Sequence, residues 1–446
     1  MKNIKKLPPG PTGFFPFGKY SKIFKRDPME LFLRINHDYG EIASFSVFGI
    51  RVTSITNPTD VKYVLQENSS NYTKSITYNE IKHILGQGLL TSEGSFWKRQ
   101  RRITQPAFKK SMIESFSSIV LEESDKLIKS LENKTTTDIA EDMMKITFTV
   151  VGKALFQKDL GEKAKSISSA LEEALVLVQK RIQHLIKFPL GFPTPKNNRL
   201  NNAVSTMQMV VDDLIAERRK SPSGQGDLMD FLMSTRDEET GESMSDKQIR
   251  DEVLTFLLAG HETTSNALSW AIYLLSIHPE IRNKVREEVY PVIRTGLSYS
   301  SLEHLPYTKN VIQEAMRLYP PIWIIERSPI KDDEIGGYFI PAGSIVSVCI
   351  NSIHRHKDFW INPEGFDPER FSSENSSSRP NFAYLPFGGG PRICIGNHFA
   401  MMEATLILAN LVHHYDLNIL SLSKIEKNPL ITLRPKYGIP VSIHKV

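Results

Sequence analysis

The 446 residues include 40% hydrophobic and 24% charged side chains, with a formal net charge of +5. That composition is typical of soluble globular proteins, and so mild a charge suits a basic patch on one face rather than nucleic-acid binding. Two cysteines exclude a disulfide framework and a CxxC zinc site and point to a reducing, cytoplasmic compartment, while no apolar run of about 18 residues is present to form a transmembrane anchor.

Residues 1–18 form a proline-rich lead-in around Leu7-Pro8-Pro9-Gly10-Pro11. Alternation over residues 42–56 predicts a hairpin of short strands. From about 59 to 290 the pattern is mainly helical. Leu171, Leu175, Val178, Ile182 and Leu185 recur at steps of three and four, as on an amphipathic helix. That helix ends in an apolar loop, 188–195, broken by three prolines. No proline occurs between Asp246 and Ile277, which predicts one very long helix closed by His278-Pro279. A helix is expected near 306–319, short strands and turns over 322–350, a solvated polar loop from Ser372 to Ser378, and a last helix from about Asn397 to His414. Without repeats or composition breaks, residues 1–446 read as one domain, mainly α with small β-sheets.

Three segments stand out chemically. In Pro386-Phe387-Gly388-Gly389-Gly390-Pro391-Arg392-Ile393-Cys394-Ile395-Gly396 the glycines let backbone approach a flat ligand, and the prolines hold the sulfur still. Cys394 sits just before a predicted helix start, where backbone N–H groups and the helix dipole favour a thiolate. In the long helix, Ala259-Gly260-His261-Glu262-Thr263-Thr264 is a polar island in an apolar stretch, costly unless satisfied. Its hydroxyls can compete for backbone carbonyls and open the helix locally. Glu314 and Arg317 stand three apart on one helix face, which alone would be an ordinary surface pair.

Phe-Gly-x-Gly-x-Arg-x-Cys-x-Gly, from Phe387 to Gly396, resembles the haem-binding motif of the cytochrome P-450 family at every fixed position. The resemblance implies haem b with Cys394 as thiolate ligand, dioxygen as co-substrate, and a long central helix over the haem. Ala259-Gly260-His261-Glu262-Thr263 resembles the family's oxygen-side motif, in which Glu262 and Thr263 would relay protons to dioxygen and His261 fills a variable position. Glu314 and Arg317 resemble the ExxR pair, with Arg370 of Pro368-Glu369-Arg370-Phe371 as structural third member. Trp97 and Arg101 resemble the WxxxR motif that binds a haem propionate. Arg392 and Arg327 would join them, and Lys74 is a further candidate.

A haem-thiolate monooxygenase is therefore expected. It would act on an apolar substrate, a fatty acid or a terpenoid, in a pocket including Leu89, Leu90, Ile322, Trp323 and Ile324. Arg51 could meet a carboxylate at a channel mouth. Electrons would come from an external reductase, ferredoxin or flavodoxin docking near Lys98, Arg99 and Arg102, in a basic segment that also holds Lys109 and Lys110. The competing readings are a peroxygenase driven by hydrogen peroxide and a non-enzymatic haem-thiolate sensor or carrier. The intact Glu262-Thr263 pair weighs against both. The overall pattern resembles the fatty-acid and alkane hydroxylase branches, as in Phe399-Ala400-Met401-Met402-Glu403-Ala404. Only six residues precede the proline segment, so the anchor of microsomal relatives is not expected.

Overall fold

The computed structural model describes residues 6–11, 20–47, 49–157, 160–183, 188–221, 226–422 and 425–446. Most of the proline lead-in and the end of the helix expected to reach Leu185 therefore lie outside the described residues. The described part of the lead-in lies on the first strand, where Ser44 N–H donates to Pro9 O at 2.7 Å.

The architecture is helical, with small sheets at its margins. The helix Asp246–Ile277 runs through the main core and buries 22 of its 32 residues. It starts in a capping box: Ser245 accepts from Gln248 N–H while the Gln248 side chain accepts from Ser245 N–H. It stops at His278, and Pro279 opens the next helix, Pro279–Arg294. Gly260 allows close approach of the helix Ile139–Phe156, since a Cβ there would come within 2.8 Å of Val151 Cγ2. The expected local opening does not occur. Thr263 and Ser269 donate to the carbonyls of Ala259 and Ser265, four residues back, and the helix stays continuous. These hydroxyls add bonds to carbonyls without breaking the ladder.

The five-stranded sheet places the strands in the order 42–47, 50–55, 345–348, 325–329, 72–74. Its register sets Lys74 opposite Arg327. The hairpin Lys427–Pro429 with Leu433–Pro435 docks on the long helix through Glu262, Asn266 and Trp270, spaced by four on one helix face. The polar run after Ser372, expected as loop, contains a helical turn, Ser373–Ser376. Ser372 Oγ accepts from Asn375 N–H and Ser376 Oγ donates to Ser372 O, so serine capping closes the turn locally. Among the described residues no helix is long and apolar enough to cross a membrane.

Candidate active site

A cavity of about 950 Å³ lies between the long helix, the cysteine loop and the five-stranded sheet. Cys394, Phe387, Gly396 and Arg392 border it from the loop, and Ala259, Gly260, Glu262 and Thr263 from the long helix. Leu89, Leu90, Ile322, Trp323 and Ile324 line it as well, joined by Phe256, Val52 and Ile325. The wall is thus largely hydrocarbon.

The loop before the helix Asn397–His414 is folded by backbone bonds, Cys394 N–H donating to Phe387 O at 2.9 Å. Gly388 and Gly390 have φ of 72° and 66°, a region that disfavours side chains. A Cβ on Gly390 would fall 1.9 Å from Leu65 O. The Cys394 sulfur is open to the cavity yet enclosed by protein. Burial pushes its thiol pKa up, while the Gly396 N–H and the Arg101 charge pull it down. The helix-start stabilisation expected for a thiolate is therefore outweighed by desolvation, because the sulfur faces apolar space. A coordinated metal would reverse this, since it deprotonates a thiol ligand outright.

Cations cluster at one end. Lys74, Arg101, Arg327 and Arg392 all border the cavity beside Trp97. The Arg392 guanidinium lies over the Trp97 ring at 3.9 Å, pairs with Glu93 and donates to Ser92 O at 2.9 Å. Arg101 Nη1 donates to Ile393 O at 3.0 Å and Arg327 Nη1 to Glu326 O at 3.0 Å. Burial, with Arg327 and Arg392 adding repulsion, depresses the Lys74 ammonium well below its usual value. Burial and Arg327 likewise bring Arg392 down to about 10 against the opposing pull of Glu93. Three arginines and Lys74, whose charged form burial disfavours, stand against the Glu93 carboxylate and make an electropositive cradle. A flat group with two carboxylates fits it, with the sulfur and the glycine backbone beside it.

At the long helix, Glu262 is 2% exposed. Its Oε1 accepts from Thr432 Oγ1 and from Arg434 Nε, the latter at 2.6 Å, while its Oε2 is buried without a partner among the described residues. Thr263 Oγ1 donates to Ala259 O at 2.6 Å. His261 turns away into the core, its Nδ1 2.6 Å from Leu257 O and its ring edge-on to Phe148. It does not border the cavity.

Away from the cavity, Glu314, Arg317 and Arg370 come together. The Glu314–Arg317 pair is fully buried, with Nε to Oε2 at 2.6 Å and Nη2 to Oε1 at 2.8 Å. Arg317 also donates to the carbonyls of His354, Pro363 and Gly365, and Arg370 Nε lies 3.3 Å from Glu314 Oε1. Nothing here resembles the ordinary surface pair that local spacing alone would suggest.

The expected basic docking face is narrower than the sequence suggested. Arg99 pairs with Glu242, and Arg102 with Asp237 and Glu239. The turn-rich segment 236–243 folds back on the helix Gly94–Thr104 and occupies them. Lys98, Lys109 and Lys110 stay exposed. Sequence reasoning missed Glu93, Thr432 and Arg434. The latter two come from a hairpin about 170 residues away, which no local spacing announces.

The chain matches the model of the family described as cytochrome P-450 over residues 8–440. It is 31% identical over 413 residues to cyclooctat-9-en-7-ol 5-monooxygenase of Streptomyces melanosporofaciens, covering 91% of this chain and 88% of that protein. It is also 31% identical over 447 residues to a bifunctional cytochrome P-450/NADPH–P-450 reductase of Bacillus cereus, covering 96% of this chain and 41% of that protein. The crystal structure of the haem domain of cytochrome P-450DA superposes with a TM-score of 0.89 at 26% identity, covering 99% and 98% of the two chains. The chain belongs to the cytochrome P-450 family of haem-thiolate monooxygenases.

Proposed function

We propose that the protein inserts one oxygen atom of dioxygen into a C–H bond of an apolar substrate, two electrons and two protons carrying the other atom away as water. The observation that carries this reading is that Cys394, the cationic cradle and the Glu262-Thr263 turn all open onto one apolar cavity. Bound haem supplies a redox-active iron whose thiolate ligand favours O–O cleavage. Cys394 Sγ would hold that iron. Trp97 N–H, Lys74, Arg101, Arg327 and Arg392 would bind its carboxylates through charge-assisted hydrogen bonds, the strong kind.

Glu262 and Thr263 move the protons. Thr432 and Arg434 fix Glu262 Oε1, so Oε2, which has no partner among the described residues, is the atom left to hold and pass a proton through water. Thr263 spends its own hydrogen on Ala259 O, so Oγ1 presents lone pairs to the cavity and can position that water. Such positioned proton transfer typically contributes about 10²–10⁴-fold in rate. Electrons come from a redox partner, for which a ferredoxin or flavodoxin docking at Lys98, Lys109 and Lys110 is the reading.

The substrate is a long-chain fatty acid. The hydrocarbon wall suits its chain, whereas Arg51, expected at a channel mouth, lies off the cavity: Ile50 and Val52 border it, so alternation turns Arg51 to the opposite face, where it donates to Ser44 Oγ at 3.1 Å. A second reading, a cyclic terpenoid, is favoured by the names of the Streptomyces relatives. Titrating haem-loaded protein with fatty acids and cyclic terpenoids, and following the low- to high-spin shift, decides between them. Acids should give larger shifts than cyclic terpenoids. Stronger shifts by terpenoids would select the second reading. No shift with any apolar molecule would overturn both.

A further inference from the structure

Two adjacent carboxylates are buried in the long helix far from the proton-relay turn. Asp251 is 2% exposed and Glu252 0%. Each takes one backbone N–H from the same segment: Gln87 N–H donates to Asp251 Oδ2 at 2.8 Å and Leu89 N–H to Glu252 Oε2 at 2.9 Å. The segment lies directly on the helix, because both of its glycines are needed there. A Cβ on Gly86 would fall 2.3 Å from the Asp251 carboxyl carbon, and one on Gly88 2.1 Å from Thr255 Oγ1 and 2.6 Å from Asp251 O. Thr91 Oγ1 closes the turn by donating to Gly86 O at 2.7 Å.

The two carboxyls differ. Asp251 has cations beside it, Lys247 at 3.1 Å and Arg250 at 3.7 Å. Glu252 has no ion-pair partner among the described residues, and its Oε1 is buried unpaired. Burial, with Asp251 adding repulsion, pushes its carboxyl up to about 8. A buried acid without a cation is costly, and its one backbone bond offsets part of that cost. That bond is to Leu89, the first residue of the Leu89-Leu90 wall.

We infer that Glu252 is a specificity-determining positioning residue: it acts through Leu89 N–H to fix the Leu89-Leu90 wall against the long helix and so sets the shape of the substrate cavity. The inference rests on the haem-bearing cavity of the proposed function, but not on which substrate fills it. Downstream the same stretch is tied to the cradle, where Ser92 O and Glu93 hold Arg392, and upstream Asp251 holds Gln87, so Glu252 fixes the span between them.

The test uses two ligands that bind haem iron through imidazole nitrogen: imidazole, too small to touch the wall, and 4-phenylimidazole, which must fit beneath it. Spectral titration of haem-loaded wild type, Glu252→Gln and Glu252→Leu gives a dissociation constant for each. Glu252→Gln keeps an acceptor for Leu89 N–H and should keep the wild-type ratio of the two constants. Glu252→Leu removes it and should change that ratio about tenfold, the order expected for one lost buried hydrogen bond. Gly88→Ala, which lifts the segment with Glu252 intact, should change the ratio as Glu252→Leu does and serves if the leucine variant fails to fold. Unchanged ratios in Glu252→Leu or in Gly88→Ala, or a change in Glu252→Gln as large as in the leucine variant, would overturn the inference. Absence of any iron-ligand spectrum in the wild type would instead sink the haem reading itself.

Discussion

Replacing Arg317 by methionine keeps much of the side-chain volume but strands Glu314, whose carboxylate is fully buried. Glu314 would retain Asp367 N–H at 2.9 Å and Arg370 Nε at 3.3 Å, so its loss falls at the low end of the range for breaking a buried ion pair, about 3 kcal/mol. The carbonyls of His354, Pro363 and Gly365 would lose their Arg317 donors. At about 1 kcal/mol for each buried acceptor, they add about 3 kcal/mol. A total of about 6 kcal/mol is comparable to the stability of a whole domain, about 5–15 kcal/mol. Arg317→Met should therefore give little soluble protein and a sharply lowered urea midpoint. The double variant Glu314→Gln/Arg317→Met removes the stranded charge but not the three carbonyl losses, so it should recover about half of the deficit. Soluble yield and urea midpoints of the three proteins, followed by tryptophan fluorescence, supply the measurement. A double variant no more stable than the single would refute the stranded-charge reasoning.

Thr263→Ala should leave haem content and ligand binding near wild type but divert electrons to hydrogen peroxide. Peroxide formed per reducing equivalent measures this, and wild-type coupling would contradict the water-positioning role of Oγ1. Reduction by a ferredoxin or flavodoxin should slow as ionic strength rises, because exposed charges are screened beyond about 8 Å at physiological salt. Lys98→Glu should slow it further while Arg99→Gln changes it little, since Glu242 already occupies Arg99; stopped-flow reduction reports both. The raised carboxyl of Glu252 means the folded state holds that proton more tightly than the unfolded chain, so stability falls as pH rises from the ordinary carboxylate range to about 8. Glu252→Gln abolishes this dependence, so its stability relative to wild type should grow over that window and level off above it. Thermal melts at several pH values that stayed parallel for the two proteins would speak against it.

The long helix and the last helix could be read from sequence closely. Each is bounded by unambiguous stops, His278-Pro279 for one and the glycine loop before Asn397 for the other. The cysteine loop and the ExxR pair were legible because their spacing is local. The partners of Glu262 were not, because Thr432 and Arg434 reach it from a distant hairpin whose docking depends on tertiary packing. The basic helix was over-read for the same reason. Arg99 and Arg102 look free in sequence, and the acids that occupy them lie about 140 residues further on. The upward pull on the metal-free Cys394 thiol is not legible from its helix start, because the desolvation behind it comes from tertiary packing around the cavity.

Iron K-edge absorption fine structure on the haem-loaded protein addresses the sulfur–iron bond itself. The account predicts one sulfur among the iron's nearest scatterers in the wild type and its loss in Cys394→His. A wild-type spectrum fitted by nitrogen and oxygen alone, or sulfur persisting in the histidine variant, would contradict the assignment of Cys394.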